Sequence, residues 1–132
     1  MNYTIKEVSK KFNLSSHTLR YYEKEGLLPS INRDSKGNRV YSDNNLEWIQ
    51  LICCMRATGM SISHIKKYIQ LTLQGDDTIL ERRQIILNQK EIIENHIKEF
   101  NHHLHVINKK LKFYDDIAIS DQKIVYPKKS SF

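Results

Sequence analysis

From Thr78 to Tyr114 the chain has neither glycine nor proline, and Ile79, Ile86, Ile93, Phe100, Ile107 and Tyr114 recur at every seventh residue. The companion positions are Arg83, Lys90, Ile97, Leu104, Leu111 and Ala118, so the stripe is weak at its start and strong from Ile93 onward. A sustained seven-residue repeat specifies one long helix whose apolar seam faces another helix. At about 1.5 Å per residue, this helix spans on the order of 55 Å. Such a seam cannot stay wet, so Ile86, Ile93, Ile97, Phe100, Leu104, Ile107 and Leu111 are expected to pair with a second copy of the chain. An intramolecular hairpin of two helices is the alternative, but no turn signal interrupts the run. The pattern leaves parallel and antiparallel pairing open.

A chain of 132 residues leaves room beside that helix for one small globular domain. The expected division is residues 1–75 for this domain, 76–116 for the long helix and 117–132 for a short tail. Charge is distributed unevenly between them. Residues 1–75 hold 11 Lys and Arg against 6 Asp and Glu, and residues 76–132 hold 10 against 9. The positive excess therefore lies in the first part, which favours a face for a polyanion there. The plainer reading is that a net charge of +6 only aids solubility. No apolar leader follows Met1 and no run is long enough to span a bilayer, so the protein is expected in the cytoplasm. Two adjacent cysteines, Cys53 and Cys54, do not make a disulfide framework.

Within the first part, Thr4 and Glu7 form a capping-box pattern ahead of a helix over 5–12, striped by Ile5, Val8 and Phe12. After a tight connection at 13–15, a second short helix begins under the N-cap hydroxyls of Ser15 and Ser16. Gly26 stands where a left-handed C-cap residue is wanted, and Pro29 blocks continuation. Leu19, Tyr22 and Leu27 fall on one side. His17, Arg20, Tyr21 and Lys24 cover the rest, with Arg20 and Lys24 suited to phosphates and Tyr21 to a groove wall. Two such helices make a helix-turn-helix, whose second helix enters the major groove. The turn-rich run 34–38, flanked by 31–33 and 39–41, predicts a small hairpin carrying Arg33, Lys36 and Arg39. Beside a helix-turn-helix, this basic hairpin is a wing that touches the sugar-phosphate backbone.

Ser42 caps a third helix over 43–58, apolar nearly all round and hence expected to be covered on more than one side. A fourth starts after Ser61, with Ile62, Ile65, Tyr68, Ile69 and Leu73 spaced for packing and Lys66 and Lys67 on its open flank. Gly75, Asp76 and Asp77 break the chain before the long helix. The tail, with Pro127, Lys128 and Lys129, has little periodicity.

Taken together, these stretches resemble the MerR family of bacterial transcriptional regulators. The carriers are YTIKEVSKKFNLSSHTLRYYEKEGLLP, then NRVYS, then LEWIQLICCMRATGMSISHIKKYI, in family order over about residues 3–72 and followed by one long helix. The resemblance implies a mainly α fold, with a winged helix-turn-helix followed by an antiparallel dimerising coiled coil. It also implies a near-palindromic operator in double-stranded promoter DNA, lying between the −35 and −10 elements. There the dimer distorts an overlong spacer so that RNA polymerase can use it. Carried over by position, Thr18, Arg20, Tyr21 and Tyr22 match the recognition helix, and Arg39 and Tyr41 match the wing. On this reading Arg20 and Tyr21 face the groove, Tyr22 and Arg39 grip backbone, and Tyr41 braces the wing. For Tyr22 and Tyr41, core packing with the hydroxyl on a phosphate is an equal reading. Ser16, His17, Asn38 and Lys66 are lesser candidates.

The run CCMRATGMSISHIKKY is similar to the AdhR/NmlR-like branch, which responds to aldehydes, other electrophiles or nitrosative stress. Cys54 occupies the place of that branch's single cysteine, with Arg56 nearby to favour a thiolate. The opposing reading is a buried, inert packing cysteine, and Cys53 is expected to pack only. The family's metal sensors carry cysteines near the end of the long helix, and this chain has none there. His96, His102, His103 and His105 leave metal sensing as an alternative. A DNA-binding protein with no effector is another. No cofactor is expected, and no Gly-rich phosphate loop or paired carboxylates suggest an enzyme.

Overall fold

A computed structural model describes residues 1–28 and 30–120. It is mainly helical: α1 (Ile5–Phe12), α2 (Ser16–Lys24), α3 (Asp43–Ala57), α4 (Ile62–Gln74) and α5 (Ile79–Ser120) accompany β1 (Asn2–Thr4), β2 (Asn32–Arg33) and β3 (Arg39–Ser42). The expected stop at Pro29 and the tail beyond residue 120 lie outside the described residues.

Local chemistry sets most boundaries. Thr4 Oγ1 accepts from the Glu7 N–H at 3.1 Å while Glu7 Oε1 accepts from the Thr4 N–H at 2.9 Å, a complete capping box. Asn13 closes α1 in the left-handed region at φ 52°. Ser15 Oγ then accepts from the Thr18 N–H at 3.0 Å and opens α2. At the other end, Gly26 at φ +79° lets Leu27 N–H reach Tyr22 O at 2.8 Å and its own N–H reach Glu23 O at 3.1 Å. That paired closure is a Schellman motif, and it turns Leu27 and Leu28 into the core. Ser42 and Asn45 form a second capping box at the start of α3.

The hairpin forms as expected, with Asn32 opposite Val40 and Arg33 opposite Arg39. A third strand joins it. β1 pairs antiparallel with β3, Tyr3 facing Tyr41, so the sheet order is β1-β3-β2. Nothing in residues 2–4 announces a strand, because three residues are too few to show alternation.

Packing divides the chain into two units, residues 1–90 and the part from Glu91 onward. The break at Gly75 exists, as a single 3-10 turn over Asp76–Thr78. The compact unit nevertheless continues through the first turns of α5, where Ile85 packs against the core. Thr78 is the reason the break is firm. Its hydroxyl donates to Leu71 O at 2.6 Å and receives Arg82 Nε at 3.0 Å.

In the first unit, Val8, Leu19, Tyr22, Leu27, Tyr41, Ile49, Ile52, Ile65 and Ile69 meet in one core. Each such apolar side chain contributes roughly 1.5–3 kcal/mol on burial. Helix α3 buries Leu46, Ile49, Ile52 and Met55 along one face, while Cys54 and Ala57 stay exposed within the single chain, leaving that side open to a partner. One expectation is corrected. On α4, Leu73 is 64% exposed and Leu71 is buried in its place, because the turn that follows folds back over Leu71.

In the second unit, α5 runs to Ser120, beyond the expected end near Tyr114, so residues 117–120 are helix and not tail. Lys112 Nζ and Asp116 Oδ2, one turn apart, pair at 3.0 Å. The apolar stripe is bare: Phe100 is 72% exposed, Leu104 55% and Leu111 56%.

Candidate nucleic-acid interface

The exposed face of α2 carries His17, Arg20, Tyr21 and Lys24. Its opposite face is anchored by Leu19 and Tyr22, which are buried, so the helix can lean on the core despite its nine residues. Ser16 and Thr18 are half-buried at the first turn, and the Thr18 hydroxyl is shared with Ser15 Oγ at 2.9 Å. Tyr21 is 43% exposed, its ring tilted against Tyr22 with centroids 6.2 Å apart.

The hairpin's own bonds order its cations. Asp34 Oδ1 accepts from the Lys36 and Asn38 N–H groups, both at 2.9 Å. Arg33 Nη1 donates to Gly37 O at 2.8 Å, which leaves that guanidinium partly committed to closing the turn. Arg33, Lys36 and Asn38 are exposed, while Arg39 is half-buried. Arg39 Nε donates to Glu23 Oε1 at 2.5 Å, joining β3 to α2. Residue type and spacing do not single out Glu23. A carboxylate on a basic helix reads as an ordinary solvent charge until its partner, 16 residues away, is seen beside it.

A recess of about 550 Å³ opens between these pieces, lined by residues 2–6, Arg20, Asp34 and 37–40. Lys6, Arg20 and Arg39 bring positive charge to it. Lys66 comes close to the same helix at its far end, where its Cε lies 3.9 Å from the place a Cβ on Gly26 would take.

Two tyrosines pack in the core, as one of their two readings has it. Tyr41 is fully buried and its hydroxyl has no hydrogen-bond partner among the described residues, so it presents no surface to a ligand. Burial pushes its phenol above the ordinary range, the Glu23 carboxylate adds to that, and Arg39, Arg20 and Arg33 pull the other way. Tyr22 is also buried and raised mainly by desolvation, with Cys53 adding to the rise and Arg56 opposing it.

The cysteines separate. Cys53 is half-buried and burial raises its thiol, whereas Cys54 is exposed within the single chain. Arg56 Nη1 donates to Met60 O at 3.1 Å. The Cys54 carbonyl accepts from Thr58 Oγ1 at 2.8 Å. His96, His102, His103 and His105 are exposed along α5, and among the described residues no three His, Cys, Asp or Glu side chains are grouped to hold a metal ion. No described helix is long and apolar enough to cross a membrane.

Comparison with known proteins adds independent findings. Residues 3–72 match the MerR HTH family regulatory protein profile, and residues 46–109 match the MerR, DNA binding profile. An uncharacterized HTH-type transcriptional regulator of Haemophilus influenzae is 42% identical over 114 residues, covering 86% of this chain and 84% of that protein. The HTH-type transcriptional regulator AdhR of Bacillus subtilis is 42% identical over 82 residues, 62% of this chain and 59% of AdhR. Among solved structures, HiNmlR, a MerR family regulator lacking the sensor domain, bound to promoter DNA, superposes with a TM-score of 0.83 at 40% identity over 92% of each chain.

Proposed function

Because this chain belongs to the MerR family of HTH regulatory proteins, we propose that it acts as a homodimeric transcriptional regulator that grips promoter DNA with α2 and the wing. The observation that carries this reading is the placement of Arg20, Tyr21 and Lys24 on the open face of a core-anchored helix, beside a wing bearing Arg33, Asn38 and Arg39. Arg20 and Tyr21 read base edges in the major groove. Arg39, Asn38, Arg33 and Lys24 hold sugar-phosphate, with Ser16, His17, Thr18 and Lys66 at the flanks. Tyr22 and Tyr41 act from beneath, as braces.

The bare stripe of α5 supports dimerisation, since a contiguous apolar seam of this length is otherwise left in water. Two heads joined in this way engage the two halves of a pseudo-palindromic operator and distort the spacer between promoter elements. The elastic cost of that distortion is offset by the additional protein–DNA surface that bent DNA brings together. RNA polymerase is then the partner at the promoter, and the cytoplasm is the compartment.

Cys54 is the proposed point of control by an aldehyde, another electrophile or an oxidant. Its exposure supports this, as does the bonded path from its carbonyl through Thr58 Oγ1 to Gln89 on α5. A gel-shift titration against promoter duplexes over a salt series tests the core reading. Affinity should fall steeply with salt, as phosphate contacts require, and Arg20→Ala should cost about 1–3 kcal/mol at the operator. No salt dependence, or full affinity in Arg20→Ala, would overturn it. Induction that persists unchanged in Cys54→Ser would remove the effector role alone.

A further inference from the structure

Glu23 is out of place for a residue that only decorates the interface. It sits one turn past Arg20 on the helix proposed to meet DNA, where a carboxylate repels phosphate. It is also not solvated freely. Its side chain is 24% exposed and that of Arg39 is 23%, and the two meet as a pair at 2.5 Å. The bond uses Arg39 Nε, so both Nη groups remain to donate elsewhere. Two residues further along the same strand, Tyr41 is fully buried and pairs β3 to β1 opposite Tyr3. The recognition helix, the central strand of the sheet and the core therefore converge on a single ion pair.

The geometry points to Glu23 as a positioning residue for DNA recognition, a clasp that holds Arg39 and the wing at a set distance from the groove-reading face of α2. This rests on the DNA-binding reading above and adds a property to it. A carboxylate near the duplex weakens every complex alike, whatever the base sequence, because it opposes the phosphates. Its hold on Arg39 helps only where the helix finds its bases while the wing finds its phosphate. Glu23 thus lowers non-specific affinity and supports specific affinity, so it works as a discriminator.

The test uses the full chain and a duplex of roughly 30 base pairs, long enough for two half-sites, enriched from random DNA by the wild-type protein. A scrambled duplex of the same composition is the reference. In Glu23→Gln the enriched duplex should bind roughly tenfold more weakly, the scale of one charge-assisted hydrogen bond, while the scrambled duplex binds as well as before or better. In an Arg39→Ala background the same change should leave the ratio of the two affinities unaltered. Arg39→Lys, which keeps the charge but loses the fork, should lower the ratio as Glu23→Gln does, and it carries the test if Glu23→Gln fails to fold. A ratio unchanged in Glu23→Gln or in Arg39→Lys overturns the clasp, as does a full effect of Glu23→Gln without Arg39. If the wild-type chain enriches no duplex, the DNA-binding reading falls first and takes the clasp with it.

Discussion

Gln89 Nε2 donates to Thr58 Oγ1 at 2.5 Å and to Thr58 O at 3.2 Å, fastening the first turns of α5 to the end of α3 across 31 residues of chain. Thr58 Oγ1 in turn donates to Cys54 O at 2.8 Å. Gln89 is buried, so losing its amide leaves the Thr58 carbonyl short of a donor where water has little access. Gln89→Leu should therefore destabilise the first unit by about 1–2 kcal/mol, read as a lower denaturant midpoint at constant slope. An unchanged midpoint would show that the bond contributes nothing net.

Tyr41 offers a substitution with an unusual sign. Its buried hydroxyl has no partner among the described residues, so Tyr41→Phe removes a desolvated group and loses no bond. Stability should stay level or rise by up to about 1 kcal/mol, whereas Tyr41→Ala should cost about 3–5 kcal/mol by emptying the core.

The same residue sets a pH dependence. The folded Tyr41 and Tyr22 phenols are raised above the ordinary value near 10, so the unfolded chain loses these protons first. The stability they contribute is full below pH 10 and drains as pH rises toward the folded values. Thermal melts above pH 10 should fall less steeply for Tyr41→Phe than for the native chain.

Gly26 occupies φ +79°, which an L side chain adopts only with strain, although the nearest atom to an added Cβ is a comfortable 3.9 Å away. Gly26→Ala should thus cost about 1–2 kcal/mol through backbone strain and not through a clash. A neutral effect on the melting temperature would contradict the Schellman closure of α2.

For the proposed dimer, Leu104→Glu places a charge in the middle of the bare stripe of α5. Sedimentation should show a shift toward monomer, and operator affinity should fall at least about tenfold because two linked heads bind far better than one. A variant that stays dimeric would place the interface elsewhere.

Thiol labelling checks the cysteine assignment. N-ethylmaleimide should modify exposed Cys54 at least about tenfold faster than Cys53, whose thiol is half-buried and raised by burial. Equal rates would count against the separation of the two.

Much of this molecule is legible without coordinates because its signals are short in range. Thr4 and Glu7, Ser15 and Thr18, and Ser42 and Asn45 are each three residues apart, and a cap needs nothing beyond that span. The hairpin over 32–42 declares itself in the same way, through a turn with cations on either side. The long helix shows in its repeat, although the repeat marks an end near Tyr114 and the helix runs on to Ser120, because the apolar period fades while no glycine or proline stops the helix there. Leu73 departs from its expected burial for a related reason. Spacing says which residues share a face but not where a neighbouring segment stops covering it.

Sequence by itself determined the helices and the hairpin, the winged helix-turn-helix order, the family and the faces of α2, because caps, periods and turn residues act over one or two turns of chain. Tertiary structure alone decided that β1 completes the sheet, that Tyr41 lies wholly inside, that Cys54 is outside, and that Glu23 meets Arg39. Each of these depends on how elements pack against one another. A carboxylate finds a guanidinium 16 residues away only after the core has brought helix and strand together.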